Sequence, residues 1–195
     1  MKNILNHPLF TGSMVMIIGS NAINFLNYLY HLIMGRMLGP SNYGELAAII
    51  SLIGLLSIIP SSINLVIIKY ISSERDEAKL ANLIGWLKSG IIKTSLILFI
   101  VILALSPFIA SFLHLNKLIY LILIAVTYLI SFQSLFYRSI LQGLLKFKET
   151  VISILAENSI KLLVSVLLIY FGFRVGGAIF AFLIAAAVGW FITIF

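Results

Sequence analysis

The sequence predicts an all-α integral membrane protein, built as a bundle of six transmembrane helices. Hydrophobic residues make up 62% of its 195 residues and charged residues only 10%. About a quarter of the residues of a soluble domain are charged, so this chain has too few charges to cover a surface that faces water. Its apolar runs are much longer than the ten or so residues of a membrane barrel strand. Because backbone groups in lipid must pair within their own segment, such runs predict helices.

Six apolar segments are each long enough to cross about 30 Å of hydrocarbon at about 1.5 Å per residue. They cover residues 11–35, 43–71, 85–110, 118–142, 150–171 and 175–195. Turn-forming or charged residues separate them, such as Gly39 and Pro40 after the first segment. The sixth segment reaches Phe195 without a polar tail. We therefore expect the sequence to be the first part of a longer protein.

The basic residues predict that both ends of the chain are cytoplasmic. With the N-terminus inside, nine Lys and Arg residues fall on the cytoplasmic side and three on the outside. The nine are Lys2, Lys69, Arg75, Lys79, Lys88, Lys93, Arg138, Lys146 and Lys148, and the three are Arg36, Lys117 and Arg174. Cytoplasmic loops are enriched in basic residues, which favours this N-in, C-in topology. Anchoring at the membrane also explains the net charge of +7, so no nucleic-acid partner is expected.

Residues 78–88 precede the third span and have their own apolar pattern. Leu80, Leu83, Ile84 and Leu87 fall on one helical face, with Trp86 nearby. This pattern predicts an amphipathic helix that lies on the inner leaflet before the chain enters the membrane.

Polar side chains inside the spans are the candidate functional residues, because lipid cannot satisfy their hydrogen bonds. The first, second, fourth and fifth spans each carry a polar stripe, so we expect these four to surround a polar space. The third and sixth spans are expected to pack outside them. For Asn24 and Asn27 in the first span, hydrogen bonding between helices remains an alternative to lining a cavity. His31 has no second ligand beside it and the chain has no cysteine, so no metal site and no cofactor are expected.

Glu157 and Lys161 are the strongest candidates. They lie four residues apart inside the fifth span, in the order that favours an ion pair along a helix. The pair could be structural, or it could respond to a substrate or ion in a cavity. Arg138 and Lys69 lie near the cytoplasmic interface, where a basic side chain can simply extend to the headgroups.

Three motifs between the spans suggest a family. Residues 35–44 are G-R-M-L-G-P-S-N-Y-G, residues 141–143 are L-Q-G with Phe147 after them, and residues 172–178 are G-F-R-V-G-G-A. With these motifs the sequence resembles the polysaccharide biosynthesis (Wzx-type) flippases of the multidrug/oligosaccharidyl-lipid/polysaccharide exporter superfamily. The resemblance covers the whole chain, which would be the N-terminal lobe of a two-lobe transporter whose C-terminal lobe is missing here.

The resemblance implies two helical bundles around a cationic cavity that opens alternately to either side of the inner (cytoplasmic) membrane. The cargo would be a lipid-linked oligosaccharide on an anionic polyprenyl phosphate or pyrophosphate carrier. Basic side chains suit the phosphate, Asn side chains suit sugar hydroxyls, and the carrier's tail would stay among the membrane lipids. The candidate substrate-binding residues are Asn24, Asn27, His31, Arg36, Lys69, Arg138, Glu157 and Lys161. Lys69 departs from the many relatives that carry Arg at this point, and only Arg binds phosphate through two parallel hydrogen bonds.

Other functions stay open at this stage. A membrane-embedded glycan polymerase or ligase would need catalytic residues in a large outer loop, but the outer loops are short and Glu45 is the only acid near that face. A drug or small-molecule exporter of the same superfamily would be expected to carry an acidic residue in the first helix, which has none. A scaffold for glycan assembly is a third alternative. We therefore expect a transporter and not an enzyme.

Overall fold

The structure, a computed structural model, describes residues 8–194, and over that range it consists of α-helices and short connections with no strand. The helices are α1 (Pro8–Leu56), α2 (Ile58–Ser73), α3 (Glu77–Phe112), α4 (Ile119–Gly143), α5 (Phe147–Tyr170) and α6 (Arg174–Ile194). Lys2, and Phe195 at the end of the predicted last span, lie outside the described residues. The predicted all-helical fold is confirmed.

Five stretches of the described chain are long and apolar enough to cross a membrane, so this is a multi-pass membrane protein. They are Thr11–Ser73, Glu77–Phe112, Ile119–Gly143, Phe147–Tyr170 and Arg174–Ile194. The first contains two of the six predicted spans, and the number of crossings stays a prediction.

Helix α1 bends sharply at Gly39. As a straight helix its 49 residues would be about 73 Å long, more than twice the hydrocarbon thickness. Gly39 has φ 72° and ψ 172°, a conformation essentially restricted to glycine, and Pro40 follows it. Nδ1 of His31 lies 3.0 Å from the hydroxyl oxygen of Tyr43, although twelve residues of straight helix would separate them by about 18 Å. We call residues 8–38 and 40–56 the first and second arms of α1.

Pro60 and Pro107 each lack the backbone N–H that would donate to the carbonyl four residues earlier. In both cases a side-chain hydroxyl donates to that carbonyl instead. Pro60 has no N–H for the carbonyl of Leu56, and the hydroxyl of Tyr128 on α4 donates to that carbonyl at 2.7 Å. Likewise Pro107 cannot donate to Leu103, whose carbonyl accepts from Oγ of Ser106 at 2.7 Å. The helix is interrupted at Ser57, between α1 and α2, three residues before Pro60.

Helix α6 lies inside the bundle, against α4, α5 and the first arm of α1. Its buried residues are mostly small, among them Gly177, Ala178, Ala181, Ala185 and Gly189. Small side chains let helix backbones approach closely, so this stripe favours a central position. The prediction that the sixth helix packs outside is therefore wrong. Helix α3 does lie at the edge, in contact with α4 and α2.

The predicted separate interfacial helix before the third span is also wrong. Residues 77–112 form one continuous helix, which begins where the carboxylate of Asp76 accepts hydrogen bonds from the backbone N–H groups of Ala78 and Lys79. The apolar face that suggested a lipid contact packs instead against a protein core that includes Ile67 and Ile71 of α2. Amphipathic periodicity alone does not distinguish burial in protein from burial in lipid.

Candidate functional site

An ion pair inside the bundle joins α4 to α5. Nη2 of Arg138 lies 2.6 Å from Oε2 of Glu157, and the two side chains are 14% and 24% exposed. Nε and Nη2 of Arg138 also donate to Oγ of Ser153, at 3.0 and 2.8 Å. Oγ of Ser153 in turn donates to the carbonyl of Gly189 on α6 at 3.3 Å. We call these four residues the Arg138 network.

Gly189 makes room for the ion pair. A Cβ atom at this position would lie 2.5 Å from Oε2 of Glu157 and 2.9 Å from Nη2 of Arg138. Both distances are shorter than non-bonded atoms tolerate, so the pair can exist in this form only beside a residue without a side chain. The Arg138 network therefore fixes the packing of three helices as well as neutralising two charges.

Lys161 occupies a different environment one helical turn further along α5. Its Nζ donates to Oδ1 of Asn27 on the first arm and to Oδ1 of Asn158, both at 2.8 Å. The same atom lies 5.1 Å from the ring centre of Tyr30 and 5.5 Å from that of Phe182, which are cation–π distances. We call these four neighbours the Lys161 cradle. An ammonium has three N–H donors, and the two hydrogen bonds use two of them.

The prediction that Glu157 forms an ion pair with Lys161 is wrong. Over residues 8–194, the cation within ion-pair distance of Glu157 is Arg138, while Lys161 is held by neutral amides and aromatic rings. The spacing along α5 permits the predicted pair, but Arg138 reaches Glu157 from α4 with a planar guanidinium that also binds Ser153. Lys161 is consequently a cation in the bundle without a carboxylate partner in that range.

The other predicted site residues lie elsewhere. His31 is exposed and contacts Tyr43 at the bend of α1. Asn24, Arg36 and Lys69 are exposed and have no side-chain partner in the described part of the chain. The structure thus brings together Asn27 with Lys161, and Arg138 with Glu157, but does not gather the eight candidates into one cluster. Their roles in substrate binding stay predictions.

The first arm carries an exposed polar stripe beside the Lys161 cradle. Exposed polar side chains recur along it at helical spacing, namely Ser20, Asn24, Tyr28 and His31. Hydrocarbon cannot satisfy such groups, so a stripe of this kind in a membrane helix belongs against water or other protein. On the neighbouring face of the same arm, about a quarter turn around the helix, Tyr30 and Met34 are buried in the core.

A cavity of about 200 Å³ lies between the second arm, α2 and α4. Its polar lining includes Ser57, Thr127, Ser131 and Arg138, and Pro60 forms part of its wall. The predicted polar stripe of the fourth span therefore does face a cavity, at Thr127, Ser131 and Arg138.

Comparison with known families identifies the chain. A family model described as "Polysaccharide biosynthesis protein" matches residues 9–195, nearly the whole sequence. The chain belongs to this polysaccharide biosynthesis protein family. It is the family of the Wzx-type flippases, so the resemblance found in the sequence is confirmed. No curated protein and no solved structure matches the chain at a significant level.

The motif glycines of this polysaccharide biosynthesis protein have structural roles. Gly39 supplies the bend of α1, as described above, and Gly172 has φ 89° where α5 ends. A Cβ on Gly143 would lie 2.7 Å from Cβ of Ile71, so α4 and α2 meet closely there. A Cβ on Gly177 would lie 2.9 Å from Cβ of Leu168. These motif glycines therefore position the helices.

Sequence reasoning missed several partners in both clusters. Ser153 and Gly189 are not among the predicted site residues, and neither is Asn158, which lies three residues before Lys161, a spacing at which helix neighbours touch. That spacing was a usable signal for Asn158. Tyr30 and Phe182 lie far from Lys161 in the sequence, and no local pattern links them to it.

Proposed function

We propose that this chain is the N-terminal lobe of a flippase that moves a lipid-linked oligosaccharide across the inner (cytoplasmic) membrane by alternating access. The carrier would be an anionic polyprenyl phosphate or pyrophosphate, and the missing C-terminal lobe would complete the cavity. The observation that carries this proposal is Lys161, an ammonium inside the bundle that neutral groups hold next to an exposed polar stripe.

The proposed arrangement has six membrane crossings with both ends in the cytoplasm. In this arrangement the first arm of α1 supplies the first crossing, and the second arm supplies the start of the second crossing, which α2 completes. Helices α3 to α6 supply the other four. Arg36 and Lys117 then lie outside, and the larger group of basic residues lies inside.

The two charged clusters have different roles in this proposal. In the Arg138 network the charges are paired, so its main role is to hold α4, α5 and α6 together. Lys161 keeps an N–H donor, and no carboxylate of residues 8–194 lies within ion-pair distance of it, so its ammonium is open to an anionic group of the cargo. Asn24, which is exposed and has no side-chain partner among residues 8–194, is available to sugar hydroxyls.

The hydrogen bonds of Glu45, the acid nearest the proposed outer face, also favour transport over catalysis. Both carboxylate oxygens of Glu45 accept hydrogen bonds from Asn116, one from its backbone N–H at 2.8 Å and one from its side chain at 2.9 Å. Glu45 thus connects the bend of α1 to the loop between α3 and α4. A carboxylate engaged in this way is a poor general acid or base.

The proposal is tested by removing the charge of Lys161 in the full-length protein. Lys161→Gln keeps N–H donors for Asn27 but is neutral, and Lys148→Gln is a matched control at an exposed lysine. Glycan export is measured in cells that lack the native transporter, and membrane abundance is measured separately. We expect Lys161→Gln to keep normal abundance and lose export, and Lys148→Gln to keep both. Normal export by Lys161→Gln would contradict the role of Lys161.

A further inference from the structure

An open groove lies between α2 and α3, away from both charged clusters. It has a volume of about 320 Å³, and its α2 wall consists of Ile63, Val66 and Ile67. On α3, Trp86, Gly90 and Lys93 line it, at a spacing that places them on one helical face. No atom lies within 4 Å of where a Cβ on Gly90 would be, so the floor of the groove is open at this residue.

The α3 side of the groove crosses from an interfacial to a hydrocarbon environment. Helix α3 has 36 residues, about 54 Å, which exceeds the hydrocarbon thickness by about 24 Å. The 19 residues after Lys93, up to Phe112, carry no charge and span about 28 Å, which matches the hydrocarbon. Lys93 therefore lies at the boundary, and Trp86, 73% exposed, lies about two turns beyond it on the headgroup side.

Lys93 is a cation at this boundary without a counter-charge within ion-pair distance among residues 8–194. It is exposed and has no hydrogen bond or ion pair with residues 8–194. The described acids closest to it along α3 are at its start, where Glu77 is 16 residues and about 24 Å away. Because helical side chains tilt toward the N-terminus of the helix, the ammonium of Lys93 is directed to the headgroup side, past Gly90.

We propose that this groove binds an anionic phospholipid of the surrounding bilayer. One acyl chain lies along Ile63, Val66 and Gly90, the phosphate pairs with Lys93, and Trp86 contacts the headgroup region. Basic pockets between membrane helices recognise anionic headgroups in this way. The proposal depends on the membrane-spanning helices and not on the proposed transport. A negative result for lipid binding would therefore not contradict the proposed transport, and a negative result for transport would not contradict lipid binding.

The two tryptophans of the chain, Trp86 and Trp190, allow a direct test. In the full-length protein, Trp190→Phe, together with replacement of any tryptophan outside residues 1–195 by Phe, leaves Trp86 as the only tryptophan. The protein is reconstituted into phosphatidylcholine vesicles that contain increasing fractions of brominated phosphatidylglycerol or brominated phosphatidylcholine, and the quenching of Trp86 fluorescence is measured. One basic residue near a membrane surface supports a preference of about fivefold. We expect half-maximal quenching at an about fivefold lower fraction of the anionic lipid.

Two pairs of variants in this background locate the site. Lys93→Gln should abolish the preference for the anionic lipid, whereas Lys148→Gln, at a distant exposed lysine, should keep it. Gly90→Leu should fill the groove and weaken quenching by both lipids. Gly85→Leu is its control, since Gly85 is also open but does not line the groove.

Three results would overturn the proposal. The first is equal quenching by the two lipids in the starting protein, and the second is a preference that survives Lys93→Gln. The third is displacement of brominated phosphatidylglycerol by unlabelled polyprenyl phosphate at a far lower fraction than by unlabelled phosphatidylglycerol, which would make the groove a carrier site.

Discussion

Arg138 and Glu157 lie 19 residues apart in the sequence and form an ion pair of 2.6 Å between α4 and α5. Both side chains are largely shielded from solvent. Removing one member of such a pair strands the other charge, which is usually worse than removing both. Stability measurements on single and double variants can therefore separate a structural pair from an incidental contact.

Arg138→Met should destabilise the protein by about 3 kcal/mol or more, because Glu157 is left without its partner. The double variant Arg138→Met/Glu157→Leu should recover most of that loss. Thermal unfolding of the purified protein in detergent measures both, and Arg174→Met at an exposed arginine is the control. A double variant that is as unstable as Arg138→Met would show that the pair does not act as a unit.

Gly189→Ala should destabilise the protein by about 1–3 kcal/mol, since the new Cβ would overlap the ion pair and force it apart. Gly54→Ala is the matched control, because Gly54 is also within a helix and nothing lies within 4 Å of where its new methyl group would be. That control should be neutral or slightly stabilising. Thermal unfolding measures the stability of both variants. Equal unfolding temperatures for Gly189→Ala and Gly54→Ala would mean that the α6 backbone can move away from the ion pair without loss of stability.

Tyr128→Phe should destabilise the protein by about 1 kcal/mol or somewhat more, because the carbonyl of Leu56 loses its donor. Pro60→Ala restores a backbone N–H at the position that normally serves this carbonyl. In the Pro60→Ala background the effect of Tyr128→Phe should therefore be smaller. A double-mutant cycle on unfolding temperatures measures the coupling, with Tyr170→Phe, 82% exposed, as the control. If the effects of the two substitutions on the free energy of unfolding simply add, the hydroxyl of Tyr128 does not take the place of the N–H that Pro60 lacks.

The N-in, C-in topology predicts that Ser41→Cys is labelled from outside intact cells by an impermeant thiol reagent and that Ser73→Cys is not. Both serines are exposed, and residues 1–195 contain no cysteine, so this part of the protein gives no background signal. Labelling of both after the membrane is permeabilised is the control. Labelling of Ser73→Cys alone from outside would reverse the topology.

The sequence predicted the helices well because their positions depend on the length of apolar runs. The predicted fourth span, 118–142, differs by one residue at each end from α4, Ile119–Gly143. The bend at Gly39 was also predictable as a break, since Gly and Pro together disfavour a continuous helix. Local chemistry was sufficient for both.

The partners of the charged residues could not be predicted in the same way. Glu157 has Lys161 one turn away on its own helix, and sequence spacing favoured that pair. The structure selects Arg138 instead, through the packing of α4 against α5 and α6 around Gly189. The central position of α6 was missed for a related reason, because a stripe of small residues indicates close packing without identifying the neighbour.

The hydrogen bond between Asn27 and Lys161 also constrains how the protein is made. The two residues are 134 positions apart, so at about 5–20 residues per second the ribosome needs roughly 7–27 s to supply Lys161 after Asn27. During that interval the amide of Asn27 lacks its native partner, and hydrocarbon offers it none. We therefore expect the first arm to stay at the insertion machinery or beside water until α5 emerges, so that its release into lipid is a late event in biogenesis.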